Sequence, residues 1–246
     1  MPMKADLRPF LGRLLGWASD EAIDRALRSL DLAANHRAHL VLQGAEDLVP
    51  IAQSLHRRVL GVDRPFIVCD PRRGNTRASV RSPANHESGV DAFRAASGGS
   101  LCLRRIRLPD DFSAIVPRLR RSHDVQYIIV CSNVGDDADP LLVLPAPIQV
   151  PPISSRAHEL DRIVDEYASE AISELNARDA CFTPVDRRWI LEHATSFTEI
   201  EKATVRVVAL RMSRNLSEAA ERLGMAPVSL WRWILRRKLQ TFMAIE

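Results

Sequence analysis

The sequence predicts an α/β protein: a parallel sheet in the first part of the chain, then helices, ending in a small all-α module. Three observations predict it. Short apolar, β-branched runs alternate with helix-sized intervals as far as Val150. From Ser155 onward the hydrophobic period becomes that of helices. The formal charge of +3 is also uneven, because residues 211–246 hold seven Lys/Arg against three Glu, a segment charge of +4 on a body of −1. A basic tail on a near-neutral body is the electrostatic footprint of a nucleic-acid reader, with a solvated basic helix as the plainer alternative.

The expected strands are His39 to Gln43, Pro65 to Cys69, Ser100 to Leu103, Val125 to Cys131 and Ile148 to Val150. Helices are expected at Leu48 to Leu60, Gly89 to Ala96 and Asp110 to Arg121, the last with Asp110 as its N-cap after Pro109. Residues 1–37 are expected to form an N-terminal helical cap, with a helix near Ser19 to Asp31. Asp70 to Ser88, rich in Arg, Asn, Ser and Pro, reads as the least structured stretch, and its basic run Arg72 to Arg81 as a mobile polar loop or, alternatively, a contact for nucleic acid or a partner. Beyond it, Leu160, Ile163, Val164, Tyr167, Ala171, Ile172 and Leu175 form one stripe that stops near Asn176. Another helix starts near Pro184, and a third carries Ile200, Ala203, Val207 and Leu210 on one face.

A chain of 246 residues, 46% hydrophobic, can bury one substantial core and carry a smaller module. Cys69, Cys102, Cys131 and Cys181 lie far apart and form no Cys-x-x-Cys pair, the pattern of a reduced, cytoplasmic protein. No run approaches the roughly 20 apolar residues that span a bilayer, so no membrane partner is expected. The apolar stretch from Phe10 to Trp17 is broken by Arg13 and lacks a cleavage site, which argues against a secretory signal.

The clearest functional pattern is Asn215-Leu-Ser-Glu-Ala-Ala-Glu-Arg-Leu-Gly-Met-Ala-Pro-Val-Ser-Leu-Trp-Arg-Trp-Ile-Leu-Arg-Arg-Lys238. A helix-turn-helix needs small residues where its helices cross, a glycine where the chain turns and apolar pegs inside the second helix. Ala219, Ala220 and Gly224 meet the first two needs; Leu223, Met225, Leu230 and Ile234 meet the third. The second helix, opened by Pro227, is expected to expose Val228, Ser229, Arg232, Trp233 and Arg236. Val228 and Ser229 would meet base edges of double-stranded DNA, and Arg232, Arg236, Arg237 and Lys238 would pair with phosphate or guanine. Trp231 and Trp233 either cover core or mark an interface.

This stretch resembles the Fis-type helix-turn-helix that ends many bacterial enhancer-binding proteins. That resemblance implies a dimer, a homo-oligomer held by the preceding helix at Glu199 to Arg211. Residues 38–200 resemble the AAA+ central domain of sigma-54-dependent activators through Leu40-Val-Leu-Gln-Gly44, Pro65-Phe-Ile-Val, Ser97-Gly-Gly-Ser-Leu-Cys-Leu103, Val125-Gln-Tyr-Ile-Ile-Val-Cys-Ser-Asn133, Val150-Pro-Pro-Ile153 and Phe182-Thr-Pro184. The implied division is a degenerate AAA+-like subdomain at 1–154, a helical lid at 155–198 and the DNA-binding domain at 199–246.

The departures from that family matter most. Where it has Gly-Glu-Ser-Gly-Thr-Gly-Lys-Glu, this chain has Gly44-Ala-Glu-Asp-Leu-Val-Pro-Ile51, so Pro50 replaces the phosphate-binding lysine. The Asp-Glu pair that positions magnesium has become Arg104-Arg105, and two cations cannot hold a cation. The lid arginine falls at Thr198, Asn133 alone resembles a retained sensor, and the Gly-Ala-Phe-Thr-Gly-Ala loop that contacts the sigma factor is missing. His36 and His39 lack a third ligand, and no nucleophile elbow is present. The expectation is a transcription regulator without catalytic activity, metal or cofactor, whose AAA+-like domain serves assembly or contact with another transcription regulator or RNA polymerase component. Two rivals are a protein-interaction regulator that co-assembles with or antagonises an intact activator ATPase, and an ATP-binding sensor.

Overall fold

The structure is a computed structural model that describes residues 7–35, 39–78, 82–121, 123–133, 147–178 and 181–239. The chain divides into two units, Met1–Pro152 and Ile153–Glu246. Helices α1 (Leu7–Leu15) and α2 (Asp20–Ala34) open the first unit. Strand β1 (Leu40–Gly44) follows, then α3 (Val49–Leu60), β2 (Phe66–Cys69), β3 (Ala84–His86), α4 (Gly89–Ala95), β4 (Ser100–Arg104), α5 (Phe112–Arg121), β5 (Tyr127–Ser132) and β6 (Ile148–Val150).

The strands form one sheet in the order β3-β2-β4-β5-β1-β6, with every pairing parallel. Strands β1 and β5 are buried at every position, as central strands covered on both faces must be. Ile67, Leu101, Leu103 and Ile128 on one face pack with Ala92 and Phe93 of α4 and Ile115 and Leu119 of α5. The opposite parity faces α3, where the His56 ring lies 5.2 Å from the Phe66 ring. The Arg58 guanidinium stands 4.5 Å from the Phe10 ring and so joins α3 to α1. Strand and helix positions follow the expected ones within a residue or two, except that α2 runs three residues past Asp31 and that Val125, although buried, precedes β5.

A close backbone approach selects glycine before β4. A Cβ on Gly99 would lie 1.9 Å from the Pro65 carbonyl oxygen, the same oxygen that accepts a hydrogen bond from the Ser100 N–H at 2.9 Å.

Three expectations need correction or completion. The expected N-terminal helical cap has a second helix, α1, ahead of the stretch Ser19 to Asp31, and it buries Leu7, Phe10, Leu11, Leu14 and Leu15. The stretch Asp70 to Ser88 contains β3, which pairs with β2 as Ile67↔Ala84, Val68↔Asn85 and Cys69↔His86; residues 79–81 lie outside the described residues. Buried Asn85 organises this stretch: its side chain accepts from the Asp70 N–H (3.0 Å) and donates to the carbonyls of Asp70 (2.9 Å) and Gly74 (2.6 Å). Three strand residues are too few to show a period, and a single amide does the work that an apolar pattern would reveal elsewhere.

The third concerns the start of α5, where Asp111 rather than Asp110 is the acid that matters. Its carboxylate reaches across to the first turn of α4, accepting from Gly89 N (2.7 Å), Val90 N (3.1 Å) and Ser88 Oγ (2.8 Å). Burial by itself would raise its pKa, but these donors hold it below the ordinary carboxylate value.

The second unit begins with a 3-10 stretch, Ile153–Glu159, and continues through α6 (Leu160–Glu174), α7 (Pro184–His193), α8 (Phe197–Met212), α9 (Leu216–Arg222) and α10 (Pro227–Arg236). The expected α6 stripe is its buried face, with Ile163, Val164, Tyr167 and Ala171 inside, and Asn176 ends it at φ 51°. Thr183 and Asp186 form a capping box on α7. The buried Asp186 carboxylate also takes a two-pronged bond from Arg211 of α8, at 2.9 and 3.3 Å. Arg187 Nη2 reaches Asp165 at 2.6 Å and ties α7 to α6. The helices expected as a lid and those expected as a DNA-binding domain lie together in this unit. Among the described residues, no helix is long and apolar enough to cross a membrane.

Replacing Asp111 by Ala should lower unfolding free energy at neutral pH by about 1–3 kcal/mol, since it strips a helix N-terminus of its acceptor. A carboxylate whose pKa is depressed in the folded state contributes fully above its unfolded pKa and loses that contribution as pH falls through the folded value. The difference between native and D111A proteins in urea unfolding should therefore shrink on acidification below the ordinary carboxylate range.

Candidate functional site: a nucleic-acid interface and a crevice closed by ion pairs

In the second unit, Asn215 caps α9 by accepting from Glu218 N (2.9 Å). The Glu218 carboxylate reaches back to Arg214 N (2.9 Å) and also accepts from Arg222 (2.9 Å). These bonds, led by the Arg214 N–H, hold its pKa below the ordinary value. Helix α9 stops in a Schellman turn: Gly224 takes φ 57°, its N–H donates to Glu221 O (2.8 Å), and Met225 N donates to Ala220 O (2.9 Å). Pro227 then opens α10. Ala219, Ala220, Leu223, Leu230 and Ile234 are buried where the two helices meet, with Met225 partly buried beside them. The two helices are thus joined by a tight turn and share a small apolar seam.

The residues expected at the interface divide into two groups. Val228, Ser229, Arg232, Arg236 and Lys238 are exposed. Trp233 is not: 9% exposed, it meets Trp189 of α7 edge-on, with ring centroids 5.7 Å apart, under the Arg206 guanidinium at 4.8 Å. Arg237 is also engaged internally, donating to Glu199 Oε1 (2.8 Å) and to the His193 carbonyl. The expected exposure of Trp233 and outward reach of Arg237 are therefore corrected, because α7 and α8 cover the side of α10 that carries both. Sequence reasoning also passed over Leu235, which is exposed; its spacing of four from Trp231 and seven from Val228 was visible in the sequence. Ser196 caps α8 by accepting from Glu199 N (3.2 Å), and the Glu199 carboxylate in turn accepts from Thr195 N (2.8 Å). That N–H, together with Arg237, keeps its carboxyl below the ordinary range.

In the first unit, the carboxyl ends of β1, β2 and β4 converge where open parallel sheets commonly place ligands. Here they are joined by ion pairs. Arg104, at the end of β4, donates to Asp47 beyond β1 at 2.8 Å and pairs with Asp70 beyond β2 at 3.4 Å. Arg107 adds a second bond to Asp70 at 3.1 Å, and Arg72 N a third at 3.1 Å. Asp70 is fully buried. Asp47 also accepts from Val49 N (3.2 Å) at the start of α3. Asn133 contributes its backbone carbonyl, an acceptor for Gln43 Nε2 at 3.0 Å.

A separate cleft of about 380 Å³ opens at the amino end of β2 beside Arg57, Arg64 and Pro65. His56 in its wall bonds Ser100 Oγ (2.7 Å) and the Arg64 carbonyl (3.0 Å), and burial lowers its pKa. Both ring nitrogens are committed to the scaffold.

Fold and site together define a parallel α/β body followed by a helical unit that ends in two short helices joined by a tight turn. Among solved structures, NtrX from Brucella abortus, crystallised in complex with ATP, is similar over 88% of this chain and 67% of its own, with 13% sequence identity and a TM-score of 0.43. No family profile and no curated protein matches the chain.

Two outcomes follow from this geometry. Replacing Asp70 by Ala should cost about 3–5 kcal/mol in unfolding free energy, because two part-buried guanidinium groups lose their buried partner; calorimetry of the full chain measures it. Trp233→Ala should cost about 3–5 kcal/mol and Trp231→Ala about 0.5 kcal/mol or less. Equal losses from the two would contradict the burial of one indole and the exposure of the other.

Proposed function

We propose that this protein is a sequence-specific DNA-binding transcription regulator that docks α10 in the major groove. Its α/β unit is a non-hydrolysing, AAA+-like scaffold used for self-association or for contact with a partner of the transcription machinery. The observation that carries the reading is the exposed face of α10: a helix held by a Schellman turn and an internal tryptophan presents Arg232 and Arg236 outward, with Val228 and Ser229 at its first turn and exposed Lys238 just beyond its end. Arginines there suit phosphate and guanine, and the first turn suits base edges. The uneven charge, +4 in residues 211–246, supports the same reading.

The α/β unit supports the scaffold role through its crevice. Arg104 and Arg107 are engaged by Asp47 and Asp70, where phosphoryl transfer calls for carboxylates on a metal and a free lysine on phosphate. Pro50 lies in the first turn of α3 in place of such a lysine. The regulator works as a homo-oligomer, which pairs two copies of α10 with two half-sites.

Selection from a random duplex pool, followed by titration at several salt concentrations, tests the reading. The full chain should enrich one motif and bind it with a steep salt slope. The R232A/R236A variant should lose at least tenfold in affinity, with a slope smaller by about one for each phosphate contact removed. No enrichment, or equal weak binding by both proteins, would refute it.

A further inference from the structure

Helix α10 carries an apolar stripe that is exposed among the described residues. Val228, Trp231 and Leu235 are 52%, 40% and 47% exposed. At 100° per residue they fall within an arc of about 60° on one side of the helix. Leu230, Trp233 and Ile234 fill the opposite side and are buried, so the stripe is no part of the core. Arg232 and Arg236, both exposed, follow directly around the circumference. Single exposed apolar residues are ordinary; three in register along the border of a basic face are not.

The positive border selects the occupant. A surface that is half cationic and half apolar fits a partner that is anionic overall and shows apolar groups between its charges. The major groove of double-stranded DNA is such a surface, and its one apolar projection is the C5-methyl of thymine. We propose that Val228 and Trp231 are specificity-determining residues that read thymine methyls on neighbouring base pairs, with Arg232 set beside them to bond a guanine. Three helical residues rise about 4.5 Å, between one and two of the roughly 3.4 Å steps between base pairs, so the two side chains fall over different pairs. This inference rests on the DNA-binding reading above and names what the same helix recognises.

The test uses the full chain and its selected duplex, with each thymine replaced in turn by deoxyuridine, which removes only the methyl. Affinity is read by fluorescence anisotropy at fixed salt. The native protein should lose about fourfold at each of two neighbouring positions. V228S should bind the thymine and uracil forms equally at one of them, and W231A at the other. Thermal melting of each variant confirms that it is folded, as the exposure of both side chains leads one to expect.

Equal native affinity for the parent and fully uracil-substituted duplexes would overturn the proposal while leaving DNA binding intact. A change in sedimentation of V228S or W231A with methyl sensitivity retained would also overturn it, by assigning the stripe to a second copy of the chain. Absence of any selected duplex would overturn both this inference and the reading beneath it.

Discussion

The orientation of the last helix depends on one contact, the edge of the Trp233 indole against Trp189 under the Arg206 guanidinium. An α-helix has a single circumference to divide between core and solvent. Burying Trp233 together with Leu230 and Ile234 fixes which side of α10 is left outward. The bond from Arg237 to Glu199 and His193 locks the final turn in the same rotation. Arg232, Arg236, Val228 and Trp231 occupy the outward face as a consequence. Helices α7 and α8 therefore decide which face of α10 is exposed, although none of their residues lies on that face.

A comparable constraint operates in the α/β unit. Three strands end together at a point where the sheet order brings β1, β2 and β4 within reach of one long side chain. Arg104 spans that point and takes carboxylates from both sides. A buried acid such as Asp70 is costly to desolvate, and two guanidinium groups with a backbone N–H offset that cost. The ends of the strands are thereby cross-linked by the chain itself. In an open sheet that relies on a ligand at this position, the same cross-link would form only on binding.

Much of this architecture was legible in the residues. The strands were readable because buried parallel strands are near-continuous apolar runs, and α6 and α8 because their stripes hold the helical period over several turns. The helix-turn-helix was readable from Ala219, Ala220, Gly224 and Pro227, whose roles are local: close crossing, a left-handed turn and a helix start. Elements resting on single polar contacts were not readable. Strand β3 depends on Asn85 bonding Asp70 and Gly74, and α4 depends on an acid twenty or so residues further along the chain.

By itself the sequence determined the parallel α/β class, the change to helices near residue 155, the bihelical turn and the basic charge of the tail, because each is written in spacing along the chain. Only the tertiary structure decided that Asp47, Asp70, Arg104 and Arg107 meet, and that Trp233 and Arg237 turn inward while Trp231 and Leu235 stay outside. The physical reason is the same in both cases. Periodicity tells which residues share a face, but not which neighbouring element covers it, and a charge declares its sign in the sequence while its partner is chosen by folding.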